Sequence, residues 1–341
     1  MKIQENTPIK SLTTMRLGGP ARYYIEVENP SEVAKAYAFA AEKSLPVWAM
    51  GGGANTLAND TGFNGVIIAN RIKGIEFLDS TTIKSYGGEI WDDLVEFSTS
   101  KQLSGIEAMA AIPGRVCAAP VQNIGAYGQD LAQVLSSVEV FDTKTQKIIE
   151  LPVDQLKLSY RRSIFNSGNT VGRYFIISIT LKLAKTSLQP PFYTSLQNYI
   201  EANHETDFSP ANIKRMVTTV RASKLPDPEK LASAGSFFKN IYLSDAEAAE
   251  AKQRGIQVWS ENGQNIVNSG WLIEQCGLKS KIFHGMRVSD KAALILINES
   301  AKNYADLAAA RAEIKAIVKA KFGFSLEQEP VEITNQTISE V

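Results

Sequence analysis

The sequence predicts an α+β protein made of more than one domain. Three observations carry this. Strand-like and helix-like apolar patterns follow one another along the chain, but the glycine run after the third apolar segment opens no crossover helix, as a doubly wound dinucleotide fold would require. The 341 residues exceed what one hydrophobic core usually organises. Leu225-Pro226-Asp227-Pro228 breaks both helix and strand and reads as a linker, so a domain boundary is placed there.

Taken in order, Arg22–Val27 alternates and reads as a strand. Pro30 and Ser31 open a helix to about Lys43, with Ser31 as its N-cap. Leu45–Met50 and Gly65–Ala69 are short apolar runs of buried-strand character. Between them lies Gly51-Gly52-Gly53-Ala54-Asn55-Thr56. Position 56 is Thr rather than the last Gly of a dinucleotide fingerprint, and the Lys-Ser/Thr of a P-loop is missing. Two readings fit this loop: successive backbone N–H groups cradling a phosphate, or a flexible hairpin tip.

Thr82–Tyr86 predicts a strand and Ile90–Lys101 a helix. Val138–Phe141 and Lys147–Leu151 predict a hairpin around Asp142–Gln146. Tyr174–Leu183 is a long β-rich run, broken at Gln189-Pro190-Pro191. Ser209-Pro210 starts a helix with proline in its first turn, running to about Ser223. After the linker, Ser244 and Glu247 have capping-box spacing at the head of a helix. Ile266–Cys276 is helical in its second half, and Met286–Asn298 holds a strand. Tyr304–Phe322 is an Ala-rich helix stopped by Gly323, and a last strand carries Leu326–Glu329.

Composition narrows the function classes. Apolar content of 44% and charged content of 21% are ordinary for a globular chain. With 36 basic and 36 acidic residues there is no basic excess for a nucleic acid. No apolar run approaches the ~18 residues of a membrane span, and the N-terminus lacks a signal-like apolar region, so a cytoplasmic protein is expected. The two cysteines, Cys117 and Cys276, form no disulfide framework or zinc set. The two histidines, His204 and His284, have no ligand spacing, so proton chemistry must use other groups.

Ile112–Gly128, IPGRVCAAPVQNIGAYG, is the least ordinary stretch. Gly and Pro punctuate it too often for regular structure, yet it is apolar between them. A buried irregular segment must satisfy its backbone groups, either in a tight structural turn or against a polar ligand that Gly and Ala admit. Elsewhere, Tyr160-Arg161-Arg162 offers a carboxylate or phosphate anchor, or a surface basic pair. Ser236, beside Gly235 and two Phe, offers a hydroxyl in an apolar setting, or a turn Ser. Glu327 and Glu329 would share a strand face.

As a set these motifs resemble the flavin-dependent UDP-N-acetylenolpyruvoylglucosamine reductases, the MurB enzymes of peptidoglycan precursor synthesis. The resemblance runs from Thr14-Met15 almost to the C-terminus. It includes GGGAN at Gly51–Asn55, Asn70-Arg71-Ile72-Lys73-Gly74-Ile75-Glu76, the IPG…PVQNIGAYG stretch, Tyr160-Arg161, Lys224–Pro228, GSFFKN at Gly235–Asn240 and the run ending at Glu329. The segment around Gln189–Tyr193 is similar to the longer subclass of the family, in which a mobile Tyr covers the substrate.

The resemblance implies a two-part FAD-binding domain of the vanillyl-alcohol-oxidase type (1–69 and 70–224), a smaller α+β substrate domain (225–333) and a tail (334–341). It implies that Gly51, Gly52, Gly53, Ala54, Asn55 and Thr56 bind FAD, with Ile112, Pro113, Gly114, Ala119, Val121, Gln122, Asn123, Gly125, Ala126, Tyr127 and Arg221. Arg161, Ser236 and Glu329 match the catalytic set, and Tyr193, Lys224, Lys239 and Asn240 the substrate contacts. The implied reaction takes hydride from NADPH through the flavin to C3 of the enolpyruvyl ether of a UDP-sugar, with a proton from Ser236 to C2. A monomer is expected. Arg115 and Cys117 depart from the family's small residues, leaving Arg115 as an extra phosphate contact or a solvent-facing side chain. Gln328 and Pro330-Val331 also depart, so a basic contact near the flavin is missing or supplied elsewhere. Two rivals remain: another flavoenzyme with this type of cofactor domain, and a silent sugar-nucleotide sensor without flavin.

Overall fold

The computed structural model describes residues 1–261 and 263–334; most of the expected tail lies outside them. The first sheet has four strands in the order Lys2–Pro8, Pro20–Val27, Phe63–Asn70, Val47–Met50. Phe63–Asn70 is buried on both faces and pairs in parallel with both neighbours, which explains its unbroken apolar run. Helix α1 (Pro30–Glu42) covers one face through Val33, Ala36 and Ala40. Its N-cap position is Asn29, not Ser31: Pro30 occupies the first helical position, and Ser31 Oγ donates to Asn29 Oδ1. Lys2–Pro8 had no apolar signature because it is an edge strand with no buried residue.

The second sheet is antiparallel throughout, in the order Lys147–Pro152, Leu135–Asp142, Tyr174–Lys182, Thr82–Tyr86, Ile75–Phe77. The expected hairpin is present, closed by Asp142, whose carboxylate takes a two-pronged contact from Arg173 at 2.8 and 2.7 Å. Helices α2 (Trp91–Ser100), α3 (Thr194–Asn203) and α4 (Pro210–Lys224) complete this core with Trp91, Leu94, Leu196, Ile213, Met216 and Val217.

After the linker come a four-stranded sheet (Ser233–Ser236, Ile295–Asn298, Met286–Val288, Ile282–Phe283) and a three-stranded one (Ile241–Leu243, Gln264–Val267, Trp259–Glu261). The single strand expected in 286–298 is therefore two, adjacent and antiparallel. Helices α5 (Asp245–Gln253), α6 (Ser269–Gln275) and α7 (Tyr304–Phe322) pack around them. The capping box of α5 forms as expected, and Gly323 ends α7 at φ 78°. Met15, Leu17 and Leu57, from the N-terminal part, are buried in this same core.

Leu326–Glu329 is not a strand. Among the described residues only its Gln328 makes a bridge, to Phe238, and the last strand is Val331–Ile333, which pairs in parallel with Thr56–Ala58. Residues 331–333 thus return from the third core to the short strand that follows the glycine run. No helix among the described residues is long and apolar enough to cross a membrane.

Candidate active site

Two glycine-bearing loops face each other. The Gly51–Asn55 loop leaves the strand Val47–Met50; the second, around Gly114, precedes a short helical turn at Val116–Ala118. A Cβ on Gly52 would stand 3.0 Å from the Gly114 Cα, and one on Gly51 would stand 3.2 Å from Cys117 Sγ. The two loops thus approach closely, leaving room for glycine rather than a side chain. Gly53, at φ 67°, would drive a Cβ to 2.0 Å from the Leu12 carbonyl. Arg71 Nη1 donates to the Gly51 carbonyl at 3.2 Å, and Thr14 N to the Gly53 carbonyl at 3.2 Å. Neither contact was assigned from sequence, although Arg71 lies in a motif that carried the resemblance.

The rest of Ile112–Gly128 is largely irregular, part-buried backbone, closed by its own turns. Val121 N donates to Ala118 O, Ile124 N to Ala119 O, and the Val121 carbonyl accepts from Ser163 Oγ at 2.6 Å. Asn123, at φ 44°, accepts from Ala132 N through Oδ1, so that atom holds the loop. Gly125-Ala126 pairs with Gln129-Asp130, and Tyr127 sits at the turn, edge-on to Tyr193 with ring centroids 5.7 Å apart. Ile112 and Pro113 lead into the Gly114 turn, with Pro113 exposed. Arg115 does not point to solvent: it is half-buried and donates to the Gly88 carbonyl. Burial, followed by the field of Arg71, pushes its pKa down.

Arg161 is the second residue of a two-residue turn closed by mutual Ser159–Arg162 backbone bonds of 3.1 Å. Its φ of 54° is left-handed, a conformation costing a non-glycine residue about 1 kcal/mol or more, and such costs cluster at functional sites. Its Nε lies 2.8 Å from Glu329 Oε1, with side chains 20% and 8% exposed. The contact is one of charge rather than an aligned hydrogen bond, since the buried Nε–H has no properly directed acceptor among the described residues. Burial raises the Glu329 pKa, and the Arg161 charge opposes that rise.

Ser236 is brought to this pair by backbone pairing. Glu329 N donates to Phe237 O at 3.0 Å, and Lys239 N to Glu327 O at 2.9 Å. Gly235, at φ 68°, sits in an irregularity of the pairing with Ile295–Asn298, and such bulges re-aim the side chain that follows. Lys239 Nζ pairs with Glu327, and its charge reaches Glu329. Asn240 Oδ1 accepts from Ser269 N at the head of α6. Lys224 ends α4 exposed, and among the described residues no contact ties it to this group. Tyr160 and Tyr242 pack with tilted rings, centroids 4.7 Å apart, bracing the Arg161 turn against the third core.

Arg221, on α4, has a buried Nε without a hydrogen-bond partner among the described residues. Burial pushes its pKa down; Tyr127 and Asp92 act the other way, and the Arg161 charge adds to the depression. A desolvated guanidinium donor with no partner is costly and marks a place for an anionic group. Thr13 Oγ1, beside Gly53, is likewise buried and unpartnered. Facing glycine loops, backbone donors and orphaned polar atoms fit a cofactor that carries a diphosphate.

A family model for the C-terminal domain of UDP-N-acetylenolpyruvoylglucosamine reductase matches residues 227–333, and an FAD binding domain matches 21–151. The reductase of that name from Shewanella oneidensis is 35% identical over 328 residues, 94% of each chain. The chain belongs to the UDP-N-acetylenolpyruvoylglucosamine reductase family. It is an oxidoreductase with an FAD-binding domain. The Paraburkholderia xenovorans reductase is 32% identical, covering 95% of this chain and 96% of its own. The solved reductase of Thermus caldophilus shares the fold, with a TM-score of 0.67 over 97% of this chain and 98% of its own at 21% identity. The family matches cover both the glycine loops and the Ser236–Glu329 region, and the reductase name with an FAD binding domain disfavours a different flavoenzyme and a flavin-free sensor.

Proposed function

We propose that the chain reduces the enolpyruvyl ether of UDP-N-acetylglucosamine to UDP-N-acetylmuramate, with NADPH as the reductant. The observation that carries this reading is the buried Arg161–Glu329 pair, one residue along the backbone pairing from Ser236. FAD, held by the Gly51–Thr56 and Ile112–Tyr127 loops with Arg221, would supply the hydride relay from NADPH to C3 of the substrate.

The protein's own groups do the rest. Arg161 binds the substrate carboxylate and stabilises the negative charge that develops there; losing one such preorganised donor typically costs about 10²–10³ in rate. Glu329 holds the guanidinium in place through the ion pair. Ser236 Oγ holds the proton delivered to C2. A hydroxyl is a weak acid, and it serves because the enolate is strongly basic and the donor is already positioned. Lys239 and Asn240, on the backbone that follows Ser236, contact the nucleotide's diphosphate, as does Lys224 once substrate is bound. Tyr193, at the N-terminus of α3 and edge-on to Tyr127, covers the pocket. The product would enter cell-wall precursor synthesis, and the reading carries with it a cytoplasmic monomer.

The test is spectroscopic. Purified protein should be yellow, bleach with NADPH and recolour with the enolpyruvyl substrate. In Ser236→Ala, bleaching should continue while recolouring slows by about 10²–10⁴. Recolouring at the wild-type rate would remove Ser236 from the mechanism. A colourless protein that still binds the UDP-sugar would favour the sensor.

A further inference from the structure

Asn55, in the glycine loop, ties together two segments that otherwise belong to different parts of the molecule. Its Nδ2 donates to Gln122 Oε1 at 2.9 Å, joining the glycine loop to the Ile112–Gly128 stretch. The same Nδ2 lies 3.5 Å from the Glu329 carbonyl, at the long limit of a hydrogen bond. The Asn55 carbonyl accepts from Val331 N at 3.0 Å, and the parallel ladder Val331↔Thr56 to Ile333↔Ala58 begins there. The Glu329 N–H is held from the other side by Phe237 O. The backbone of Glu329 is therefore gripped between the strand that ends at Ser236 and the loop that faces Gly114.

We propose that Asn55 is a positioning residue that couples occupancy of the glycine loop to the placement of Glu329. The proposal rests on the reading above, in which FAD lies at that loop and Glu329 acts at the substrate. Bound FAD orders the loop. Asn55, anchored on Gln122, passes that order to the backbone at 329–331, and so to the carboxylate that faces Arg161. Contiguous hydrogen-bonded contacts of this kind carry coupling between sites when both ends bias the same element. A strand pin with no coupling role would hold residues 329–333 equally with and without cofactor.

The test uses full-length protein stripped of flavin and then reloaded with FAD. Amide exchange of the segment 326–333 is followed in both states. In wild type, FAD should slow exchange there by about tenfold or more; in Asn55→Ala, at FAD concentrations that saturate it, the slowing should shrink to under about threefold. Gln122→Ala keeps every bond from Asn55 to the last strand and should shrink it too, which covers the case of an Asn55 variant that folds poorly. Per bound flavin, the recolouring rate in Asn55→Ala should fall about tenfold further than the bleaching rate. Exchange that speeds up equally with and without FAD, or half-reactions that fall by the same factor, would overturn the coupling. Wild-type protein that takes up no FAD, or Glu329→Gln recolouring at the wild-type rate, would instead overturn the functional reading on which it stands.

Discussion

Arg161 and Glu329 meet as an ion pair, Nε to Oε1 at 2.8 Å, although one belongs to a tight turn in the second core and the other to the segment just before the strand Val331–Ile333. Neither charge is stable in that place alone. Burial raises the Glu329 pKa above the usual carboxylate value, and Arg161 limits the rise.

Removing the guanidinium should therefore make stability depend more on pH. In Arg161→Ala the folded-state pKa of Glu329 climbs further above its unfolded value. A raised carboxyl stabilises the fold below the unfolded pKa, and that contribution is lost as pH rises through the folded pKa. The deficit against wild type should be small near pH 4.5 and grow toward about 3–5 kcal/mol at pH 8, the range for breaking a buried pair. Urea melts at both pH values check it, and a deficit that does not change with pH would sink the idea.

Arg221→Met should separate stability from binding. The buried Nε has no partner among the described residues, so its removal relieves a desolvation cost and the flavin-free protein should melt at the same temperature or higher. FAD affinity should fall about 10–100-fold, the worth of a hydrogen bond to a charged group. Fluorescence titration of stripped protein with FAD measures this, and unchanged affinity would remove Arg221 from the cofactor site.

Two neighbouring glycines should fail differently. In Gly53→Ala the new methyl meets a backbone carbonyl at 2.0 Å on a left-handed residue, so the apo protein should lose about 2 kcal/mol or more. In Gly52→Ala it meets the Gly114 Cα at 3.0 Å, which a small parting of the two loops relieves. That variant should fold but lose flavin on gel filtration. Equal melting temperatures for the two variants would contradict the geometry.

The cysteines should differ in reactivity. Burial pushes the Cys117 thiol up to about 12, and its sulfur lies against Gly51. Cys276 is half-exposed and also raised by burial. Iodoacetamide at pH 8 should label Cys276 slowly in the native protein and Cys117 only in denaturant, as read by peptide mass spectrometry. Native labelling of Cys117 would mean that the two loops part readily.

Elements whose signal is local were readable in the sequence. The Ser244–Glu247 capping box, the Gly323 stop, the proline start of α4 and the strand Thr82–Tyr86 need only neighbouring residues, and all are present. Elements defined by a distant partner were not. Lys2–Pro8 is polar and becomes a strand only because Pro20–Val27 offers an edge. Val331–Ile333, not Leu326–Glu329, forms the last strand among the described residues because Thr56–Ala58 takes its hydrogen bonds.

The same division runs through the site. Sequence by itself determined which residue types stand in which order: glycines where backbone must approach backbone, the Arg161 and Glu329 charges, and Ser236 after Gly235. Tertiary structure alone decided that Arg161 and Glu329 neutralise each other, that Asn55 spans two loops and the final strand, that Arg115 turns inward to Gly88, and that Arg221 is left with a buried, unpartnered donor. The physical reason is that burial and charge pairing belong to positions in space. A side chain's ionisation and its unmet hydrogen bonds are set by groups that the linear order does not place beside it.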